Sequence, residues 1–256
     1  MELADLKRLD DDGVEVIEAI AYDRAPPGTT LATPHAFVCD DGKTYWIKRE
    51  AQNGLSSELI AARLGKLVGA SPAGVPVEVM DGLAPSNVDV SHLIGLGVGI
   101  EDTENAQNVK ELTQYLNNGT FKPSHLDKSS RARIIVFQTW IGISQDTQAL
   151  VQLSSGKVLS IDHGYAFDSI GNFSKLQVVH LPIPGVADDV GTDSADIDRA
   201  VSGIERLSDE QLLKSVANVP DEPDWNAALD RRFQVFEWIR FRRDHLREAV
   251  EQWQKI

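Results

Sequence analysis

The 256-residue chain contains a single cysteine, Cys39. One thiol cannot close an intrachain disulfide or build a zinc or iron–sulfur site from several thiolates, and it fits a reducing compartment, with the cytoplasm as the default. Long apolar runs are also missing: no stretch approaches the roughly 18 residues of a membrane span. The acidic start Met1-Glu2-Leu3-Ala4-Asp5-Leu6 lacks the basic residues and apolar run of a signal peptide. Neither membrane insertion nor secretion is expected. Basic residues are outnumbered, 25 against 39 acidic ones, for a formal net charge of −14, so no broad surface for a nucleic-acid duplex is expected. No Gly-x-Ser-x-Gly elbow of a serine hydrolase occurs. His35, His92, His125, His180 and His245 are scattered singly, without metal-ligand spacing. What is present is an ordinary globular balance, 42% hydrophobic and 25% charged. The length is long for one compact unit and short for two, which favours one domain built as two lobes.

The N-terminal part reads as strands. Val14 to Tyr22 alternates loosely, and Arg24-Ala25-Pro26-Pro27-Gly28-Thr29-Thr30 breaks regular structure. Ala36–Cys39 and Thr44–Lys48 flank Asp40-Asp41-Gly42-Lys43, whose Asp-Gly pair predicts a hairpin. A helix is expected from Ser56-Ser57-Glu58, with a serine cap and an early acidic residue, to a stop at Gly69. Val75-Pro76-Val77-Glu78-Val79 predicts a strand whose proline argues for an edge. Gly95-Leu96-Gly97-Val98-Gly99 is expected to enter a hinge between lobes, its small residues letting the backbone approach an adenine or a neighbouring strand.

Helices dominate afterwards. They are expected at Val109–Leu116, Ser129–Trp140, Asp196–Leu207 and Asp209–Ala217, with a hairpin of Ala149–Leu153 and Val158–Ile161. Phe173 to Ala195 is rich in Pro, Gly and Asp and reads as irregular. Asp224 is expected to cap a long last helix on which Leu229, Phe233, Phe236, Ile239, Leu246 and Val250 recur at helical spacing. Trp238 with Arg240, Arg242 and Arg243 reads as a helix face flanking the core rather than as a nucleic-acid patch.

The chemistry concentrates in four residues. Lys48 ends a strand, and Glu58 sits early in the next helix, where its carboxylate can hold the ammonium against nucleotide phosphates. Asp146 and Asp162 bracket the second hairpin, in Ser144-Gln145-Asp146-Thr147-Gln148 and Ser160-Ile161-Asp162-His163-Gly164. Phosphoryl transfer needs one carboxylate near the acceptor hydroxyl and another on magnesium, and a tight hairpin can bring both to one cleft.

Tyr45-Trp46-Ile47-Lys48-Arg49-Glu50, Gly54 to Gly65, Phe137-Gln138-Thr139-Trp140-Ile141-Gly142 and Leu159 to Phe167, in that order, resemble the HipA-like kinases. That family belongs to the protein-kinase-like superfamily, near the phosphatidylinositol kinases. The resemblance implies an α+β, two-lobed protein-kinase-like fold: a small β-rich N-lobe, residues 1–100, and a mainly helical C-lobe, residues 101–256, in one kinase-like domain. It implies ATP and Mg²⁺ as cofactors and transfer of the γ-phosphate to a protein Ser/Thr hydroxyl. Lys48 would contact the phosphates, Glu58 would pair with it, Asp162 would bind the metal and Asp146 would be catalytic. Gly28 and Thr29 are the candidate phosphate contacts in the loop between the first strands.

The catalytic loop departs from the family pattern. That pattern reads Asp-Arg-His with a magnesium-binding Asn five positions after the Asp. Counted from Asp146, Gln148 stands for the His and Val151 for the Asn. Without an insertion after Trp140-Ile141-Gly142, Gln145 takes the Asp position and Leu150 the Asn position. Gln148 or Gln152 is the remaining candidate for an amide ligand to the metal. Two readings therefore stand: an active kinase, and a pseudokinase that binds nucleotide or protein without phosphoryl transfer. Nucleotidyl transfer in the same fold is a third.

Overall fold

The computed structural model describes residues 1–26, 34–50, 54–108, 122–143, 148–167, 170 and 193–254. The expected helix at 109–116 and most of the irregular stretch at 173–195 lie outside them.

Strands β1 (Ile17–Arg24), β2 (His35–Cys39) and β3 (Thr44–Lys48) run antiparallel, as the hairpin signal requires. Gly42 makes the β2–β3 turn at φ 80°, a left-handed conformation that glycine adopts without a Cβ penalty, and its N–H donates to the Cys39 carbonyl at 2.9 Å. Strands β4 (Gly74–Val79) and β5 (Gly95–Glu101) complete a closed barrel in the order β1-β2-β3-β5-β4. Phe37, Tyr45, Ile47, Val77 and Val79 fill it.

Closure corrects two expectations. β4 is not an edge, because Ile17 and Glu18 of β1 pair in parallel with its Val77 and Glu78. Pro76 escapes the conflict because this short ladder begins one residue later, while its own partner is Val98 of β5. The glycine-rich segment is strand β5, between β3 and β4, rather than a hinge. A Cβ on Gly97 would sit 2.7 Å from the Lys48 carbonyl oxygen, and one on Gly99 would sit 2.5 Å from Val77 Cγ2. The glycines therefore serve close approach to neighbouring strands.

The N-terminal part also holds two helices. The N-terminal α1 (Leu3–Asp10), which the sequence reading did not anticipate, buries Leu6. Helix α2 (Leu55–Val68) is buried along most of its length, because it packs on β4 and β5 and also on the helices that follow. Its cap is Gly54 at φ 87° rather than a serine. A Cβ there would lie 2.6 Å from Asn226 Cβ, and Ser56, buried, donates to the Asn226 carbonyl at 3.2 Å.

The C-terminal part holds an antiparallel sheet of β6 (Ala106–Asn108), β7 (Gln148–Gln152) and β8 (Val158–Ile161), in that order. Helix α3 (Lys128–Ile141) starts under Asp127, whose carboxylate accepts from the Ser129 and Ser130 amides, and ends at left-handed Gly142. Helices α4 (Ser194–Glu205), α5 (Asp209–Val216) and α6 (Leu229–Gln254) complete it. Ser208 and Gln211 form a capping box on α5. Buried Arg242 of α6 donates to the Trp140 carbonyl at 2.7 Å and to that of Thr139, and lies 4.3 Å from the centre of the Trp238 ring. Its charge thus meets the negative end of the α3 dipole. Asp224 does not cap α6: it lies in a 3-10 turn, Pro223–Trp225, and ion-pairs with Arg49 at 3.6 Å.

Candidate active site

Lys48, the last residue of β3, extends its ammonium between two carboxylates. Nζ lies 2.6 Å from Glu58 Oε2 and 2.9 Å from Asp162 Oδ1. The first comes from the opening turns of α2 and the second from the residue after β8, so one cation joins the barrel, its helix and the C-terminal sheet. Glu58 is fully buried, the Lys48 side chain is 17% exposed, and the Asp162 side chain is 41% exposed. The ion pair is thus dry at Glu58 and open at Asp162. Asp162 itself has φ 59°, a left-handed turn that aspartate tolerates better than most residues.

Asp162 has a second partner. Gln148, the first residue of β7 and opposite Ile161 in the ladder, donates its Nε2 to Asp162 Oδ2 at 2.7 Å. Asn108 of β6 in turn donates to Gln148 Oε1 at 3.0 Å. On the other side, His163 Nδ1 faces Glu58 Oε1 at 3.5 Å, and His163 Nε2 is 3.0 Å from Ser160 Oγ. Ser160 accepts a bond from Gln138 Nε2 of α3 at 2.8 Å.

The charges reinforce one another. Burial opposes the Lys48 ammonium, but Glu58 and Asp162 outweigh it, and the lysine pKa is raised. Burial likewise opposes the Glu58 carboxylate, yet Lys48 and His163 hold its pKa well below the ordinary range. Both groups are charged at neutral pH. A carboxylate-held ammonium beside an accessible carboxylate is an arrangement that can receive a polyphosphate and its divalent cation.

For a metal, the donor set is partial. Asp162 offers an accessible carboxylate, which suits magnesium, an ion that takes one or two protein carboxylates and fills its shell with phosphate and water oxygens. Gln148 turns its oxygen to Asn108 and its nitrogen to Asp162. Gln152 is at the far end of β7, where its nitrogen donates to the Glu104 carbonyl at 3.4 Å and its oxygen accepts from Ser155 at 2.7 Å; the fold does not bring it to Asp162. Val151 is fully buried in the β7 ladder and offers no ligand. Among the described residues, no three His, Cys, Asp or Glu side chains cluster as a metal site. The described residues fit one cation shared with phosphates rather than a site made wholly by their own side chains.

Asp146, Gly28 and Thr29 lie outside the described residues. Sequence reasoning passed over Asn108, Gln138, Ser160 and His163. Ser160 and His163 flank Asp162 in one motif, and Gln138 is a polar residue inside the apolar run Ile134, Ile135, Phe137, Trp140, so all three carried a local signal. Asn108 carried none, since only β6–β7 pairing brings it near.

The model of the HipA-like kinase family matches residues 22–254. The chain belongs to that family. Among solved structures, this HipA-like chain is similar to the Helicobacter pylori proinflammatory kinase CtkA, at 13% identity and TM-score 0.51 over 91% of this chain and 98% of that one. It also aligns with the Golgi casein kinase at 12% identity and TM-score 0.42, over 96% of this chain and 75% of that one. A search of curated proteins found no match. The fold is therefore protein-kinase-like, with a β-sheet N-terminal part and a helical C-terminal part.

Proposed function

We propose that this HipA-like kinase is a two-lobed, ATP- and magnesium-dependent phosphotransferase acting on a serine or threonine hydroxyl of a protein. The observation that carries this reading is the Lys48 ammonium bridging Glu58 at 2.6 Å and Asp162 at 2.9 Å. Residues 1–100 form the N-lobe and 101–256 the C-lobe of a single domain. Lys48 takes the nucleotide phosphates, Glu58 fixes Lys48, and the loop with Gly28 and Thr29 covers the nucleotide. Asp162 would hold magnesium, which when bound supplies neutralisation of phosphate charge. Asp146 orients the acceptor. The hydroxyl oxygen bonds to the γ-phosphorus, the bond from that phosphorus to the β–γ bridging oxygen breaks, ADP leaves, and the hydroxyl proton passes to Asp146. Cys39, free and buried, suits the reducing cytoplasm as the site of action.

A second reading, a nucleotide-binding pseudokinase, draws on Val151 and Gln148. An apolar side chain stands at the position of the family's second metal ligand, and the neighbouring amide oxygen already accepts from Asn108.

Thermal-shift titration with ATP and Mg²⁺, followed by transfer from labelled ATP, separates the readings. The kinase reading expects stabilisation of wild type and a loss of transfer of about 100-fold or more in Asp162→Asn, the scale of losing one preorganised charge-stabilising group. Binding without transfer to any supplied protein, or to the chain itself, favours the pseudokinase. Absence of nucleotide binding removes both.

A further inference from the structure

A second polar chain leads into the site from behind. Gln138, Ser160, His163 and Glu58 are essentially inaccessible to solvent, yet they come from α3, β8, the loop after β8 and α2. Gln138 Nε2 donates to Ser160 Oγ at 2.8 Å. This uses a lone pair of the hydroxyl and leaves its proton for His163 Nε2, 3.0 Å away. His163 then carries its own proton on Nδ1, the atom that faces Glu58 Oε1 at 3.5 Å. Neither Glu58 Oε1 nor His163 Nδ1 has a closer hydrogen-bond partner among the described residues. The other Glu58 oxygen is the one that holds Lys48 at 2.6 Å.

The ring is also fixed by packing. Phe137 stands edge-on to it, with centroids 5.7 Å apart and planes at 88°. The Ser160 amide donates to the carbonyl of Ala70, just beyond the end of α2, at 2.7 Å. Residues 160–163 are thereby tied to both ends of α2, through Ala70 just beyond its C-terminal end and through Glu58 near its N-terminal end.

From this connectivity we propose that His163 is a positioning residue, held by Ser160 and Gln138, that orients Glu58 and through it aims the Lys48 ammonium at the nucleotide phosphates. The inference rests on the ATP-binding reading above. A fully buried carboxylate with one oxygen unsupplied is costly, and rotation or protonation of the group relieves that cost. Either response loosens Lys48. His163 therefore couples the segment bearing Asp162 to the helix bearing Glu58.

The test is ATP affinity, by calorimetry with Mg²⁺ present, for His163→Leu, His163→Asn and Ser160→Ala, with His163→Leu repeated in a Glu58→Gln background. Groups that orient the ligands of a metal typically change metal affinity or activity by about 10- to 100-fold, and that scale is taken here for a group that orients Glu58. His163→Leu is expected to weaken ATP binding by about tenfold, the low end of that range, and Ser160→Ala by less, because it acts one hydrogen bond further from Glu58. His163→Asn restores most of the loss, because its amide N–H can occupy the Nδ1 position. In the Glu58→Gln background, His163→Leu has little further effect, since the group it orients is already altered. Should His163→Leu fail to fold, Ser160→Ala and His163→Asn decide the matter, with Ser160→Ala weakened and His163→Asn near wild type as the supporting pattern. Wild-type affinity in His163→Leu and Ser160→Ala, with only melting temperatures lowered, makes the network structural and overturns the proposal. Failure of wild type itself to bind ATP overturns the functional reading and this inference together.

Discussion

Glu58 is a buried carboxylate that keeps its charge, and its energetics follow from its few partners. Burial works against the ionised form, while the Lys48 ammonium and the His163 N–H work for it, with a net depression from the ordinary value of 4.5. Its folded pKa lies below its unfolded one, so its contribution to stability is present above about pH 4.5 and drains away as pH falls from there through the folded value. Lys48 behaves in the opposite sense. Its folded pKa is raised above 10.5, so its contribution is complete below that pH and is lost as pH rises through the folded value. Glu58→Gln is expected to destabilise the protein at pH 7 by roughly 3 kcal/mol, the low end for breaking a buried pair because Asp162 still holds Lys48. Denaturant unfolding across pH 2.5 to 7 checks this. The gap between wild type and variant should shrink in acid, and a constant gap would mean that Glu58 acts through shape rather than charge.

At the scale of elements, β5 shows how backbone proximity builds the site. Gly97 lies against the carbonyl of Lys48, and the 2.7 Å that a Cβ would leave must be relieved by moving one strand. Gly97→Ala is expected to cost about 1 to 3 kcal/mol by overpacking. Because the displaced strand carries Lys48, ATP affinity should fall with stability; full affinity in a destabilised Gly97→Ala protein would show that β3 does not yield at this point. Elements of this kind divide by how local their signals are. The β2–β3 hairpin was legible because Asp41-Gly42 specifies the turn by itself, and α3 was legible from its apolar spacing. Lys48, Glu58 and Asp162 were legible as motif residues in order, and the fold brings them to one point. β5 was misread because three glycines suggest a hinge when the strands they must fit between lie 50 residues earlier and 20 residues earlier in the chain, at about the positions of β3 and β4. Barrel closure was misread for a similar reason: the β1–β4 ladder involves only Ile17, Glu18, Val77 and Glu78, too short to mark either strand. Gln138 is tied to the site by a hydroxyl 22 residues away, a relation that no local pattern encodes.

For the whole molecule, the decisive element is α2, which belongs to both halves. Its Leu55, Leu59 and Leu64 share one core with Val98 and Ile100 of the barrel and with Trp140, Leu213 and Phe236 of the helical part. Lys48, Glu58 and Asp162 bridge the same halves through charge. The N-terminal helix adds a further tie, because Asp10 pairs with buried Arg232 of α6 at 2.6 Å. A molecule joined in this way should unfold as one cooperative unit, with the nucleotide site lost in the same transition. At about 100 times its dissociation constant, a ligand that binds only the folded state stabilises it by about 2.7 kcal/mol. For a chain of this size, each kcal/mol moves the midpoint by about 2–4 °C, so ATP with Mg²⁺ should raise the single melting transition by about 5–11 °C. Lys48→Met should abolish most of that rise, because it removes the ammonium that meets the phosphates while leaving the shared core intact. Two calorimetric transitions, of which ATP moves only one, would show that the barrel and the helical part are separate folding units and that α2 does not weld them together.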